Sequence, residues 1–514
     1  MAMQKHMREY DVVVYGGSAA GIMAGVQASR MGMRVLVVEP GIRLGGLTTG
    51  GLGATDAGDP AAIGGLSREF YNRLGEYYGR PGPVWRFEPS AALRVLEDYI
   101  RESGMEVLTG RRLKERSGVV MDGTRIAALE LESGEVYKAK VFIDATYEGD
   151  LMAWAGVSYT VGREGNGVYG ESNNGIRKPT PLVPHVDPYR IPGAPESGLL
   201  DRINPDSGGA MGDGDGKTQA YNYRMCLTAN PDNRVPVERP EGYREADYEI
   251  LFRLLEQGYE GLVFKLTMMP GEKTDSNNTG SFSTDYIGMN HDYPEAGYAR
   301  RQEIATAHET YQKGLIWTLQ HHPRVPEAVR RKYAPWGLPK DEFPESGHWP
   351  SQLYVREARR MRGEAVVTER TVKRLETVGD SVGMGSYSMD SHSTQYCLDS
   401  DGRLCTEGGF MAGVPAPFPI SYKALVPRRE ECANLLVTVC LSSSHAAYGS
   451  IRMEPVFMVM GQAAGTAAAL AAQGGTSVQE VPYDRLRPLL DAQGLVVELD
   501  PDYITPPEVT GNPL

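Results

Sequence analysis

Apolar residues arrive early in this chain in short unbroken runs set off by glycine. Residues 11–15 read DVVVY, an acid followed by four apolar positions. A run without polar alternation predicts a strand covered on both faces, as in a parallel sheet. GGSAAG follows, and the small residues from Ala19 to Gly32 predict a helix able to lie close to that sheet. RVLVV at 34–38 predicts the next strand, which ends at Glu39. Ser90 is placed to cap a helix reaching Ser103, with Gly104 stopping it. Strands at 106–108, 119–121, 127–131 and 136–139 are separated by turns at Asp122-Gly123 and Ser133-Gly134. The last three form a meander that feeds VFIDATYEGDL at 141–151, a further buried strand. Helices are also expected from Tyr298 to about Gln320 and around Arg356, Arg359 and Arg360, with at least one of these arginines on a solvated face. Near the far end, NLLV at 434–437 predicts a short strand. Glu454-Pro455 then opens a helix of small residues through Ala472, proline being pre-organised for a first helical position.

The first strand–helix–strand unit carries a chemical signature. Gly16, Ser18 and Gly21 follow the strand with the spacing of a dinucleotide-binding turn, G-x-G-x-x-G, serine standing at the middle position. The strict demands fall on Gly16 at the tight turn and Gly21 where helix meets strand. Ser18 is small, and its hydroxyl is able to donate to a pyrophosphate oxygen. Ala19 begins the helix. Glu39 lies about twenty residues on, where an acid accepts hydrogen bonds from a ribose. A carboxylate there repels a 2′-phosphate, which disfavours NADP. Arg43, Gly45, Gly46 and Thr48 come next, in PGIRLGGLTTGGLG. A glycine pair here is superfluous for NAD and suits a longer cofactor whose pyrophosphate and ribityl chain run along backbone N–H groups. FAD is the cofactor this pattern selects.

Length and charge narrow the rest. A chain of 514 residues implies two or three domains. A net charge of −13 works against nucleic-acid and anionic-membrane partners. No run of roughly 18 apolar residues is evident, and the N-terminus lacks the apolar stretch of a secretory signal. Five cysteines, unpaired by spacing, imply neither a disulfide framework nor a zinc site. A cytoplasmic protein is expected, its oligomeric state open.

DVVVYGGSAAG near the start and DATYEGD after the meander together resemble the bacterial FAD-dependent oxidoreductase family of the glutathione-reductase-like class. NLLVTVCLSSSHAAYGSIRMEPVFMVMGQAAGTAAALAA at 434–472, YVREARRMRGE at 354–364 and GSYSMDSHS at 385–393 are similar too, so the resemblance covers nearly the whole chain. It implies an α/β fold: a Rossmann-type FAD-binding domain with a β-meander, discontinuous in sequence, plus an inserted α+β substrate domain. The boundaries read as 8–164 for the first part of the FAD-binding domain, 165–424 for the substrate domain, 425–480 for the second part, and 481–514 for a C-terminal extension. By the resemblance, Gly16, Ser18 and Gly21 hold the pyrophosphate and Glu39 the ribose. Arg43, Gly45 and Gly46 line the cofactor's midsection, and Asp144, Ala145 and Thr146 the loop beside it. Glu454 and Pro455 begin a helix whose N-terminus points at the flavin, its dipole favouring the reduced anion. The chain departs from the pattern at Val439-Cys440, where related flavoproteins carry a glycine.

No second dinucleotide fingerprint appears between the cofactor motifs. Reoxidation therefore falls to oxygen, a quinone or another acceptor rather than to a nicotinamide cycle. Removing hydride from an alcohol carbon needs a base for the hydroxyl proton, a task suited to histidine near neutral pH. His445, just before the flavin helix, is the leading candidate by connectivity, with His392 and His291 in turn-rich stretches as rivals. Arg452 is placed to hold a substrate carboxylate or the flavin O2, or else to pair with Glu454. The expected enzyme dehydrogenates an alcohol carbon of a small polar substrate, a sugar or sugar acid, by hydride transfer to flavin N5; 28 tyrosines are available for such contacts. The alternatives are a CH–CH dehydrogenase or enoate reductase acting on a carboxylate, and a tRNA-modification-type flavoprotein.

Overall fold

The computed structural model describes residues 7–500 together with 503 and 505. β1 (Met7–Tyr15), α1 (Ala19–Arg30) and β2 (Val35–Val38) form the expected unit, with β1 and β2 parallel and Val12 opposite Val35. Every β2 residue is buried, as is every α1 residue from Ala19 to Ala28. With layers on both sides of the sheet, these strands have no wet face for a polar residue to occupy.

α2 (Gly46–Gly50), α3 (Gly65–Tyr77) and α4 (Pro89–Ser103) precede β3 (Glu106–Leu108), which runs parallel to β2. Ser90 does not cap α4. Glu88 is the cap residue and Pro89 opens the helix, where its fixed φ costs nothing. Ser90 instead donates its hydroxyl to Glu342 at 2.7 Å. β4 (Val119–Asp122) and β5 (Arg125–Glu130) form an antiparallel hairpin that leads into β6 (Val136–Asp144).

The last meander strand and the buried strand expected after it are one element. No glycine or proline interrupts residues 136–144, so the strand continues. β6 is part-exposed as far as Lys140, apart from buried Tyr137, and fully buried from Val141. Its opening residues pair with β5, Leu129 opposite Tyr137. Its closing residues pair with β7 (Leu435–Val437), parallel, Asp144 opposite Val437. Along its other edge β6 lies against β1 from end to end. The parallel core therefore reads β3-β2-β1-β6-β7, with β5 and β4 continuing from the outer half of β6.

After β7 come α5 (His445–Ile451) and α6 (Glu454–Gly474). α6 lies against α1 so closely that a Cβ at Gly461 would fall on the Ala20 carbonyl, and one at Gly465 on that of Ala24. Among the described residues, α6 is also a helix long and apolar enough to cross a bilayer, which the sequence reading had not singled out. In the fold, 94% of its apolar window is buried inside the protein.

The chain between β6 and β7 builds small sheets around the long helix Tyr298–His321. One is antiparallel and three-stranded (Met225–Thr228, Lys273–Ser276, Thr267–Met269); another is four-stranded and includes the hairpin Gln395–Leu398 and Leu404–Glu407. A single apolar core runs from the parallel sheet's helices into this segment. Arg356, Arg359 and Arg360 are not on a helix, and none is on a solvated face. Residues 355–359 are irregular and Arg360 begins a two-residue strand. All three guanidiniums are buried and paired, with Asp285, Asp150 and Glu164 respectively. A charge taken this far from water persists only beside a partner.

Gly461→Val is expected to force α6 off α1. Overpacking of this kind costs about 1–3 kcal/mol, which should appear as a lowered unfolding midpoint by circular dichroism, while a surface change such as Gln473→Ala should leave it unmoved.

Candidate active site

β1 hands over to α1 through Gly16, whose φ of +103° lies where only glycine is at ease. A Cβ there would meet the Ala145 carbonyl carbon at 2.7 Å and the Thr146 nitrogen at 2.8 Å. The turn is thus pressed against the end of β6, and the Ala145 N–H donates to the Tyr15 carbonyl at 2.8 Å. Ser18 caps α1, its Oγ accepting from the Gly21 N–H at 3.2 Å and donating to the Ala145 carbonyl at 2.7 Å. The serine hydroxyl is therefore committed to the chain and does not reach for a pyrophosphate oxygen. Backbone N–H groups at the start of α1, Ala19 included, which a helix leaves without internal acceptors, would be the ones to meet such an oxygen.

Glu39 sits at the end of β2 with its carboxylate accepting from the N–H groups of Gly17 and Gly41, both at 2.6 Å. Burial outweighs those two bonds and pushes its pKa up to about 7. Gly45 donates to the Gly17 carbonyl at 2.7 Å, laying the 43–46 loop across the turn. Arg43 reaches the Thr49 carbonyl at 2.8 Å and Glu345 at 2.7 Å, and its Nη2 is buried without a partner. Asp144 bonds the hydroxyl and N–H of Thr146 and the N–H of Met152, at 2.7 to 3.0 Å. Burial pushes its pKa up to about 6 despite these donors.

Glu454 opens α6 with a different task from the one its position suggested. Its carboxylate accepts from Thr48 and from Tyr147, each at 2.7 Å, and Tyr147 in turn accepts from the Leu47 N–H at 2.8 Å. The same phenol oxygen stands 2.5 Å from where a Gly46 Cβ would project. Pro455's carbonyl accepts from Ser67 at 2.9 Å. Glu454 does not pair with Arg452; it fastens α2 to the start of α6. Burial, stronger than the two donors, pushes its pKa up to about 7.

A cavity of about 310 Å³ opens beside this junction. Thr55 and Asp56, downstream of α2, form one wall, and Arg452 and Met453, just before α6, another. Its polar lining also includes Arg86, Arg224, Lys265, Tyr354, Asp390 and His392. Arg224 is held by Asp275 through two bonds of 2.7 and 2.8 Å. Arg452 pairs with Asp390 at 2.7 Å and donates to Tyr354 at 2.9 Å, while its Nε and the Thr55 hydroxyl are buried without partners. His392 Nδ1 lies 2.7 Å from Asp285, and its Nε2 lies 3.5 Å from Asp390. Burial works to raise the pKa of Asp285, but Arg356 and His392 together bring it below the ordinary carboxylate range.

Of the three histidines expected to compete, only His392 lines this cavity. His445 is buried in an ion-pair network: its Nδ1 lies 2.7 Å from Glu357, which also pairs with Arg360, and its Nε2 has no partner. Burial, reinforced by Arg360 and Arg163, pushes its pKa down to about 3, far from that of an effective base at neutral pH. His291 accepts from the Thr218 N–H at 3.2 Å and stands outside the cavity. Asp390 and His392 are two apart at the end of the strand Met389–Ser391 and meet at one wall. That D-x-H spacing in GSYSMDSHS was the available signal for the pair. Asp285, Arg224 and Tyr354 left none, because only the fold brings them together.

The FAD dependent oxidoreductase family profile matches residues 11–490, and the chain belongs to that family. It is an FAD-dependent oxidoreductase, an enzyme with a Rossmann-type FAD-binding fold. Among solved structures it is similar to OxyS anhydrotetracycline hydroxylase from Streptomyces rimosus (14% identity, 31% of this chain and 36% of that one, TM-score 0.24). It is also similar to L-proline dehydrogenase from P. horikoshii (16%, 31% and 59%, TM-score 0.24) and to THI4 from Thermovibrio ammonificans (22%, 30% and 66%, TM-score 0.23). The chain spans less than half the length of the first of these. No curated protein matches it. The residues present fit FAD: a turn closed by Gly16, an acid at the ribose position, and the partnerless Arg43 Nη2 beside the glycine pair.

Purified protein is expected to be yellow and to release FAD rather than FMN, and Gly16→Val to be colourless, as absorbance and chromatography of the released flavin will show. In the cofactor-free protein, Glu454 titrates near 7 when folded and near the ordinary 4.5 when unfolded. The folded state then binds more protons between those values, so stability falls as pH rises from 4.5 to 7. Glu454→Gln is expected to flatten that decline in a melting-temperature series against pH.

Proposed function

We propose that this enzyme dehydrogenates an alcohol carbon of a small hydroxylated molecule, a sugar or sugar acid, with His392 as the base. The observation that carries this reading is the placement of His392 in the cavity wall between Asp285 and Asp390. Bound FAD supplies a two-electron acceptor.

His392 does the proton work. Asp285 accepts from Nδ1–H and so fixes the tautomer that leaves Nε2 as the basic atom. Once Nε2 has taken the substrate's hydroxyl proton, the imidazolium is flanked by two carboxylates, and the positive charge is stabilised where it forms. Arg452 holds Asp390 in position, and Tyr354, already accepting from Arg452, keeps its own proton for a substrate oxygen. Without bound ligand, the Arg452 Nε and Thr55 hydroxyl lack partners that oxygens of a polar substrate would supply.

The carboxylate-clamp alternative needs arginines with charge to spare. Arg224 and Arg452 are each matched by an aspartate, Asp275 and Asp390, whereas Arg86 and Lys265 line the cavity without an ion pair among the described residues and are available to the carboxylate of a sugar acid. The RNA alternative is opposed by the net charge of −13. A small molecule is the proposed partner.

His392→Ala is expected to retain FAD and lose about 10²–10⁴ in the rate of substrate-driven flavin bleaching under anaerobic conditions, the usual loss for a positioned base. His445→Phe serves as the comparison; if it bleaches slowly while His392→Ala keeps the wild-type rate, the base is His445. Neither NADH nor NADPH is expected to bleach the flavin at a useful rate in stopped-flow mixing.

A further inference from the structure

The His392 wall of the cavity beside α6 borders more than one space. A second cavity, of about 410 Å³, lies beyond Asn278, Asp390 and His392, three residues that line both. Each volume falls in the range of roughly 300–1,000 Å³ typical of small-molecule sites. Their chemistry differs. Arg86, Arg224, Lys265 and Arg452 line the first, whereas among the described residues no lysine or arginine lines the second. Thr180, Ser281, Ser393 and Thr406 supply hydroxyls to the second. Tyr259 stands among them with its hydroxyl already donated to the Leu262 carbonyl at 3.0 Å, which leaves its ring as an apolar contact surface. The only ionised acids in this wall, Asp285 and Asp390, are shared with His392 and would repel an anion.

A chamber with many hydroxyls, one aromatic ring and no cation suits a neutral ligand that presents hydroxyls on several sides and an apolar face to a ring. We propose that the second cavity is a subsite for the remainder of a glycoside, a neutral second sugar unit, whose terminal unit is oxidised in the first cavity beside His392. This rests on the alcohol-oxidising reading above. Because His392 and Asp390 belong to both walls, a ligand spanning the two chambers passes the base on its way, which places the linkage between units near the reacting carbon.

The test compares glucose with cellobiose and maltose on the FAD-loaded enzyme, by anaerobic flavin bleaching and by calorimetric binding. Thr180→Trp fills the chamber from its exposed rim, and Tyr259→Ala removes the ring. The wild type is expected to prefer a disaccharide. Both variants are expected to raise the disaccharide KM about tenfold, the scale of a lost pocket contact, with kcat, flavin spectrum and the glucose KM unchanged. If the sugars bleach the flavin but the variants treat glucose and disaccharides alike, the subsite is overturned and alcohol oxidation stands. If no sugar bleaches the flavin, binding decides: cellobiose bound by wild type and lost in Thr180→Trp supports the subsite while the oxidation reading falls. Absence of binding by all three sugars overturns both.

Discussion

Two helices that touch backbone to backbone set the geometry of this enzyme. α1 belongs to the glycine turn near the chain's start, and α6 to its far end. Gly461 and Gly465 let α6 rest on the Ala20 and Ala24 carbonyls. From that contact follows the position of everything at the N-terminal end of α6. Glu454 reaches Thr48 and Tyr147 because the axis is held there, and Arg452 and Met453 consequently form a cavity wall opposite Thr55 and Asp56. A methyl group at either glycine would separate the glycine turn from that cavity wall.

Around the cavity, charge is arranged in a connected series rather than as isolated pairs. Arg356 faces Asp285, Asp285 faces His392, His392 faces Asp390, and Asp390 faces Arg452. Each buried charge finds an opposite one, so the series persists in a low-dielectric interior where single charges would not. The imidazole stands in the middle of the series, with an acid on each side. Around His445, burial above all, with Arg360 and Arg163 close by, keeps the ring neutral.

The cofactor half of the molecule could be read from sequence because its signals are local. An unbroken apolar run means a doubly covered strand, and Gly16 with Glu39 marks a turn whose constraints lie within one strand–helix–strand unit. The reading went astray where a local cue had a nearby competitor. Pro89 displaced Ser90 as the helix start, and β6 ran through what looked like two strands. Ser18 spent its hydroxyl on Ala145, a residue brought near only by the sheet. The cavity wall was less legible. Connectivity favoured His445, which is near α6 in sequence, while His392 reaches the cavity through pairings with Asp285 and Asp390 that no spacing reveals beyond the D-x-H step. The arginines at 356, 359 and 360 had looked helical and wet; apart from Glu357, their carboxylate partners are distant in sequence, scattered from Asp150 to Glu295.

The pairing of Asp144 with Val437 carries a consequence for how such an enzyme can diversify. The chain leaves the parallel sheet at the end of β6 and re-enters it at β7, the neighbouring strand. The long excursion between them therefore starts and finishes at adjoining points fixed by the sheet ladder. Closure entropy grows only with the logarithm of loop length, so residues gained or lost within the excursion alter that term little and leave both strand ends where they were. Selection can remodel the cavities lined by that excursion through insertion and deletion, while the glycine turn, held between β1 and β6, keeps its register.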